Sequence, residues 1–124
     1  MLHPKSLLDK LGVKPGHRVA VVGIEDADFL DQLRTRADVV ARATTDCNLI
    51  FVQADRRSVL SRLELLKRAL APAGGLWVVS PKGVQEITEA DVLAAGRKTG
   101  LVDVKVVRFS ETHTGHKFVI RRLR

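Results

Sequence analysis

The sequence predicts an α/β domain with a mostly parallel sheet and a C-terminal antiparallel hairpin, and three observations carry that prediction. Three apolar runs, RVAVVGI (18–24), NLIFVQA (48–54) and GLWVVSP (75–81), have the β-branched and aromatic composition of strands buried on both faces. Segments of helical periodicity separate them. The last segment, LVDVKVVRFSETHTGHKFVIRRL, alternates in polarity instead, as a half-exposed hairpin does. Strand, helix, strand, helix, strand, helix and hairpin is the chain order that covers both faces of a parallel sheet.

SLLDKLGV opens the chain as a short amphipathic helix with Leu7, Leu8 and Leu11 inward, stopped by Gly12 and the Pro15-Gly16 turn. The strand at 18–24 is expected near the centre of the sheet, because it is apolar on both faces. Asp26 is placed to cap the helix DADFLDQLRTRA, which turns Phe29, Leu30 and Leu33 inward. ADVVARAT offers a short edge strand or irregular chain around 38–43. After the strand at 48–54, DRRSVLSRLELLKRALAPAGG reads as one long helix with Asp55 as its cap. Val59, Leu60, Leu63, Leu66 and Leu70 form its stripe, and Gly74-Gly75 end it. ITEADVLAAGRKTG is a helix with Thr88 as N-cap and Asp91 in the capping-box position. The hairpin is expected to turn at Thr114-Gly115, which would set His113 and His116 face to face on one side of the ribbon.

A chain of 124 residues with 45% hydrophobic content is sufficient for one packed domain. Its longest apolar runs fall well short of the ~18 residues a membrane span needs, and MLHPKSLLDKLGV lacks the make-up of a secretory signal. A cytoplasmic protein with no membrane partner is expected. The single cysteine, Cys47, excludes an internal disulfide and a redox dithiol and reads as a small buried side chain. The net charge of +7 is unevenly spread: residues 1–55 hold 7 Lys/Arg against 8 Asp/Glu, and residues 56–124 hold 14 against 6. The basic half could meet an anionic partner, and Lys105, Arg108, Lys117, Arg121 and Arg122 on the hairpin are the candidate nucleic-acid contacts. Single-strand binders usually add exposed aromatics, however. This chain has four Phe, one Trp and no Tyr, mostly within hydrophobic segments.

LGVKPGHRVAVVG resembles the approach to the first strand of class I S-adenosylmethionine-dependent methyltransferases, and LKRALAPAGGLWVV resembles the helix, Gly-Gly turn and fifth strand of that superfamily. The terminal hairpin matches the sheet edge of the same fold. The chain is also similar to a family of small, uncharacterised bacterial domains that keep a shortened version of this architecture. The resemblance implies a three-layer Rossmann-like fold, truncated relative to the superfamily, and a ligand crevice beyond the strand ends. Gly23, Glu25 and Asp26 in the first turn, with Gln53 and Asp55 after the second apolar strand, are the cofactor-site candidates it points to.

Departures from the superfamily pattern bear on function. Gly23 matches the first glycine of the cofactor turn, but the acidic position falls on Val21 and the next two glycine positions on Glu25 and Ala27. Side chains there would fill cofactor space. The second strand should end in an acid for the ribose hydroxyls and ends instead in Arg42, Ala43 and Thr44. Only ATTD then precedes CNLIFVQA, so at least one strand–helix unit has been lost. Glu25, Asp26, Asp28 and Asp31 sit around a helix start, where negative charge is favoured by ~0.3 to 1 kcal/mol each. They serve either a self-capped helix or a cation. His113 and His116 are too few to define a metal site, and no serine or cysteine nucleophile pattern is present, so neither catalytic nor metal residues are assigned.

Three functional readings follow. The first is a non-catalytic methyltransferase-like module that uses no cofactor and binds a protein or small molecule. The second is a minimal S-adenosylmethionine-dependent methyltransferase, and the third a nucleic-acid-binding accessory domain.

Overall fold

The computed structural model describes residues 6–121. Six strands, β1 (Arg18–Val22), β2 (Asp38–Val40), β3 (Cys47–Gln53), β4 (Leu70–Pro81), β5 (Leu101–Arg108) and β6 (His113–Ile120), form one sheet in the order β2-β1-β3-β4-β6-β5. The first four in that order are parallel, and β6 is antiparallel to both β4 and β5. Helices α1 (Leu7–Lys10) and α2 (Ala27–Arg36) pack on one face. A 3₁₀ helix (Arg57–Arg62), α3 (Leu63–Arg68) and α4 (Glu89–Lys98) pack on the other, which makes the three layers.

The three apolar runs are adjacent and parallel, as their composition requires. β1 is not central, however. It lies one strand in from the edge, flanked by a β2 of three residues that pairs only with Arg18, Val19 and Ala20, so Val21 and Val22 are half-buried. β2 and β3 are parallel with β1 between them, yet residues 41–46 join them without a crossover helix. The short return is possible because a three-residue strand needs only ~10 Å of travel back along the sheet. The Arg18 amide donates to Asn48 Oδ1 at 2.8 Å and the Arg18 guanidinium to the Thr45 carbonyl at 3.2 Å, which ties this loop to the start of β1.

The long helix expected after β3 is broken in two. The 3₁₀ helix has no side-chain cap, and the Ser61 hydroxyl donates to the Ser58 carbonyl at 2.8 Å, a local bond that suits the tighter turn. α3 ends at Arg68, and β4 begins at Leu70, opposite Cys47, well before Gly74-Gly75. The hairpin also turns elsewhere than expected, at residues 109–112, where the Phe109 and Ser110 amides both donate to the His113 carbonyl. Thr114 and Gly115 lie inside β6, opposite Ser80 and Val79.

The expected caps of α2 and α4 hold, that at Asp55 does not: Asp26 accepts the Phe29 amide at 3.1 Å, and Thr88 and Asp91 form a reciprocal capping box. The aromatics are all buried. Phe29 meets Phe51 and Phe109 edge-on, Phe51 stacks on Trp77 with 5° between planes, and Phe118 lies under α4. Gly96 is what lets α4 approach, since a methyl group there would lie 2.6 Å from Phe118 Cδ1. Gly96→Ala should therefore force α4 off the sheet and cost ~1–3 kcal/mol. Thermal denaturation should show a midpoint lowered by roughly 4 to 10 °C; an unchanged midpoint would mean that the Phe118 ring yields freely.

Candidate functional site

From β1 the chain passes to α2 on one face of the sheet, and from the adjacent β3 it passes to the 3₁₀ helix and α3 on the other. Neighbouring parallel strands whose connections diverge leave a crevice at their carboxyl ends, where open α/β sheets bind ligands. Gly23 stands on one side of this crevice with φ +79°, a left-handed conformation that favours glycine, and it is exposed. A methyl group at Gly23 would lie 3.7 Å from the Gln53 carbonyl oxygen, so the two strand ends are close neighbours there. The turn that follows is acidic and exposed at Glu25, Asp26 and Asp28. Asp26 is engaged as the α2 cap, and Glu25 and Ala27 are open to solvent rather than packed across the crevice.

Asp55 is not a helix cap. It follows β3 with its carboxylate held between two donors: the Gln53 side-chain amide at 3.0 and 3.2 Å and His113 Nε2 at 3.1 Å. The Thr112 hydroxyl lies 2.8 Å from His113 Nδ1. Because an ionised carboxylate only accepts, Nε2 carries the ring proton and Nδ1 accepts from Thr112. Both imidazole nitrogens are thus occupied. Sequence reading placed Gln53 and Asp55 at this edge but missed His113, which the β5–β6 turn delivers opposite Pro81 at the end of β4. Burial pushes the Asp55 carboxyl up, but the bonds from Gln53 and His113 and the nearby cationic groups hold it, on balance, below its ordinary value. A depressed carboxyl pKa contributes stability above the unfolded range near pH ~4 that is lost as pH falls through the folded value. Asp55→Asn should therefore flatten the acid side of a melting-temperature profile between about pH 5 and 2; an unaltered acid limb would show that the network contributes nothing to folding.

His113 and His116 do not face each other. Three residues apart on one strand, they project to opposite faces. His116 is 2% exposed, meets Glu89 Oε2 at 3.2 Å through Nε2, and keeps Nδ1 buried without a partner. Among the described residues no group of three or more His, Cys, Asp or Glu is placed to hold a metal ion. No described helix is long and apolar enough to cross a membrane. Among the described residues the basic candidates are spread along the hairpin. Lys117 lies half-buried over Trp77, and Lys105 donates to the Lys10 carbonyl at 2.7 Å on the same face. Arg108 is opposite Thr114 at the other end of the hairpin, Arg121 follows β6, and Arg122 lies outside the described residues.

Solved structures that share this architecture include S-adenosylmethionine-dependent methyltransferases. One from Aquifex aeolicus superimposes with a TM-score of 0.72 at 19% identity, covering 93% of this chain and 88% of that one. An O-methyltransferase from Thermotoga maritima gives 0.68 at 12%, covering 92% and 63%. The magnesium protoporphyrin IX methyltransferase of Synechocystis, solved with S-adenosylmethionine bound, gives 0.65 at 11%, covering 93% and 74%. No protein-family model and no curated protein matches the chain. At these identities the likeness establishes the fold: a shortened class I methyltransferase-like domain of Rossmann type. It also corrects the expectation of a chain without a cofactor, since the neighbours point to S-adenosylmethionine. The residues here fit one half of that molecule. Gly23 permits close approach and the acidic turn suits the cationic amino and sulfonium groups, whereas β2 leads into Ala41 and Arg42 and offers the ribose no acid.

Proposed function

We propose that the chain is a methyltransferase-like binding module whose ligand is S-adenosylmethionine, seated at the carboxyl ends of β1 and β3. The observation that carries this reading is the divergence of the connections after those strands, with Gly23 in its left-handed conformation on one side and Gln53 on the other. Charge complements it. S-adenosylmethionine carries an ammonium and a sulfonium against one carboxylate, and Glu25, Asp26, Asp28 and Asp55 are the acids of the two strand ends. S-adenosylhomocysteine lacks the sulfonium charge. One unit charge ~6 Å from a carboxylate in water-like surroundings is worth ~0.7 kcal/mol, about threefold in affinity.

Methyl transfer is the second reading, and the Asp55–His113 pair beside the crevice favours it. A histidine oriented by a carboxylate can accept a proton from a methyl acceptor once Thr112 releases Nδ1. Calorimetric titration with S-adenosylmethionine and S-adenosylhomocysteine tests the first reading. One-to-one binding with S-adenosylmethionine the tighter is expected, and silence of both at millimolar concentration rejects it. Formation of S-adenosylhomocysteine in the presence of an acceptor, lost in His113→Gln with binding kept, would establish the second.

A further inference from the structure

At the opposite end of the sheet, where β1 and β3 begin, a cavity of about 370 Å³ is walled by Gly12, Lys14, His17, Asn48, Gly75 and Lys117 among others, none of them acidic. Each of its polar side chains presents donors. His17 Nδ1 accepts the Lys14 amide at 3.3 Å, which leaves the ring proton on Nε2. Asn48 Oδ1 accepts the Arg18 amide at 2.8 Å, so only its NH2 group remains for a ligand. Lys14 and Lys117 supply ammonium groups, and neither is held in an ion pair among the described residues.

Lys117 has been given room. Its ammonium sits 5.9 Å from the Trp77 ring centre. A methyl group at Gly75 would lie 2.5 Å from Lys117 Cε, and one at Gly12 would lie 3.7 Å from Nζ. Gly75 thus opens the path of this half-buried cation, and Gly12 adjoins its ammonium at ordinary contact distance. The cations crowd each other: burial lowers the Lys117 pKa, with Lys105 and Lys14 adding to the effect, and burial followed by Lys14 and Lys117 lowers that of His17. Cations gathered in a recess without a carboxylate work against folding and favour an anion. A ligand there must be rich in acceptors and doubly charged to answer donors from four side chains.

We propose that this cavity binds a phosphate group, free or carried by a small organic molecule, through Lys14, His17, Asn48 and Lys117. The site is separate from the adenosyl seat and does not depend on it. The test is a thermal-shift and calorimetric titration with inorganic phosphate and with glycerol 3-phosphate, against sodium chloride at matched ionic strength. A saturable rise of several degrees with phosphate, the monoester or both, and little with chloride, is expected. It should weaken at least tenfold in Lys117→Met and in Lys14→Ser and persist in Lys82→Ser, which lies outside the cavity. Equal shifts with the monoester and phosphate identify free phosphate as sufficient; a larger shift with the monoester identifies a phosphorylated small molecule, and both support the site. Lys117→Met should also melt above the unmodified protein without ligand, which separates lost binding from lost folding. A rise no larger than that given by chloride, or one retained in both cavity variants, overturns the proposal. Retention of a single-stranded oligonucleotide with no response to either phosphate compound also overturns it and assigns these cations to nucleic acid.

Discussion

Trp77→Ala is expected to remove a large share of the chain's folding stability, the largest effect on stability of any single replacement considered. Trp77 is fully buried on the middle of β4 and joins three parts of the α1/α2 face. Its ring stacks on Phe51 of β3 with centroids 6.3 Å apart, its Nε1 donates to the Leu11 carbonyl at 3.1 Å, and its other surface underlies Lys117 of β6. The indole bond at the C-cap is one of the ties on α1, beside Lys105 on the Lys10 carbonyl and Arg36 on Asp9 Oδ1; a helix of four residues could not persist alone. Removing a buried tryptophan costs ~3–5 kcal/mol, set against the ~5–15 kcal/mol that holds an ordinary domain together. Trp77→Phe keeps most of the apolar area and loses the bond to Leu11, for ~1–2 kcal/mol. Urea denaturation should rank the unmodified protein, the phenylalanine variant and the alanine variant in that order. A midpoint for Trp77→Ala within error of the unmodified protein would mean that α1 and the aromatic column contribute nothing.

Gly23→Val is expected to abolish S-adenosylmethionine binding, by at least ~100-fold, while costing the fold only ~1–3 kcal/mol. The cost arises because a β-branched residue is strained at φ +79°. The larger effect on binding arises because the new side chain stands at the mouth of the crevice, where a first methyl group already reaches ordinary contact with the Gln53 carbonyl at 3.7 Å. Gly23→Asn separates the two effects, since asparagine tolerates the left-handed region. It should fold nearly as well as the unmodified protein and still bind weakly. Calorimetry paired with thermal denaturation reads both quantities. Undiminished affinity in Gly23→Val would place the ligand elsewhere on the molecule.

Much of this architecture was legible without coordinates, because it rests on features a few residues long. The three apolar runs pair as parallel neighbours since no strand with polar faces can occupy the interior of such a sheet. Asp26, Thr88 and Asp91 cap where their spacing places them, because capping is settled within one helical turn. The six residues between β2 and β3 hold no helix, so the missing strand–helix unit could be inferred from length alone. The acidic turn and the end of β3 were likewise placed at one edge, since both follow apolar strands.

Other features had no local signature. Whether β1 is central depends on how many strands pair beyond it; the short edge strand expected around 38–43 is present as β2, but only the assembled sheet places it directly beside β1 as the last strand. The leucine stripe from Val59 to Leu70 suits one long helix, but the pairing of Leu70 with Cys47 draws its end into β4. Thr114-Gly115 is a plausible turn in isolation. In the fold Gly115 sits against Trp77, where a methyl group would lie 3.1 Å from Cε3, so the pair belongs inside β6. The contact of Asp55 with His113, 58 residues away, and the meeting of Lys14, His17 and Lys117 in one cavity arise from the same cause. Hydrophobic pattern and caps, acting over a few residues, determined which segments became strands and helices. Strand order and register, set by contacts between distant residues, decided which charged groups meet, and both candidate sites are made of those meetings.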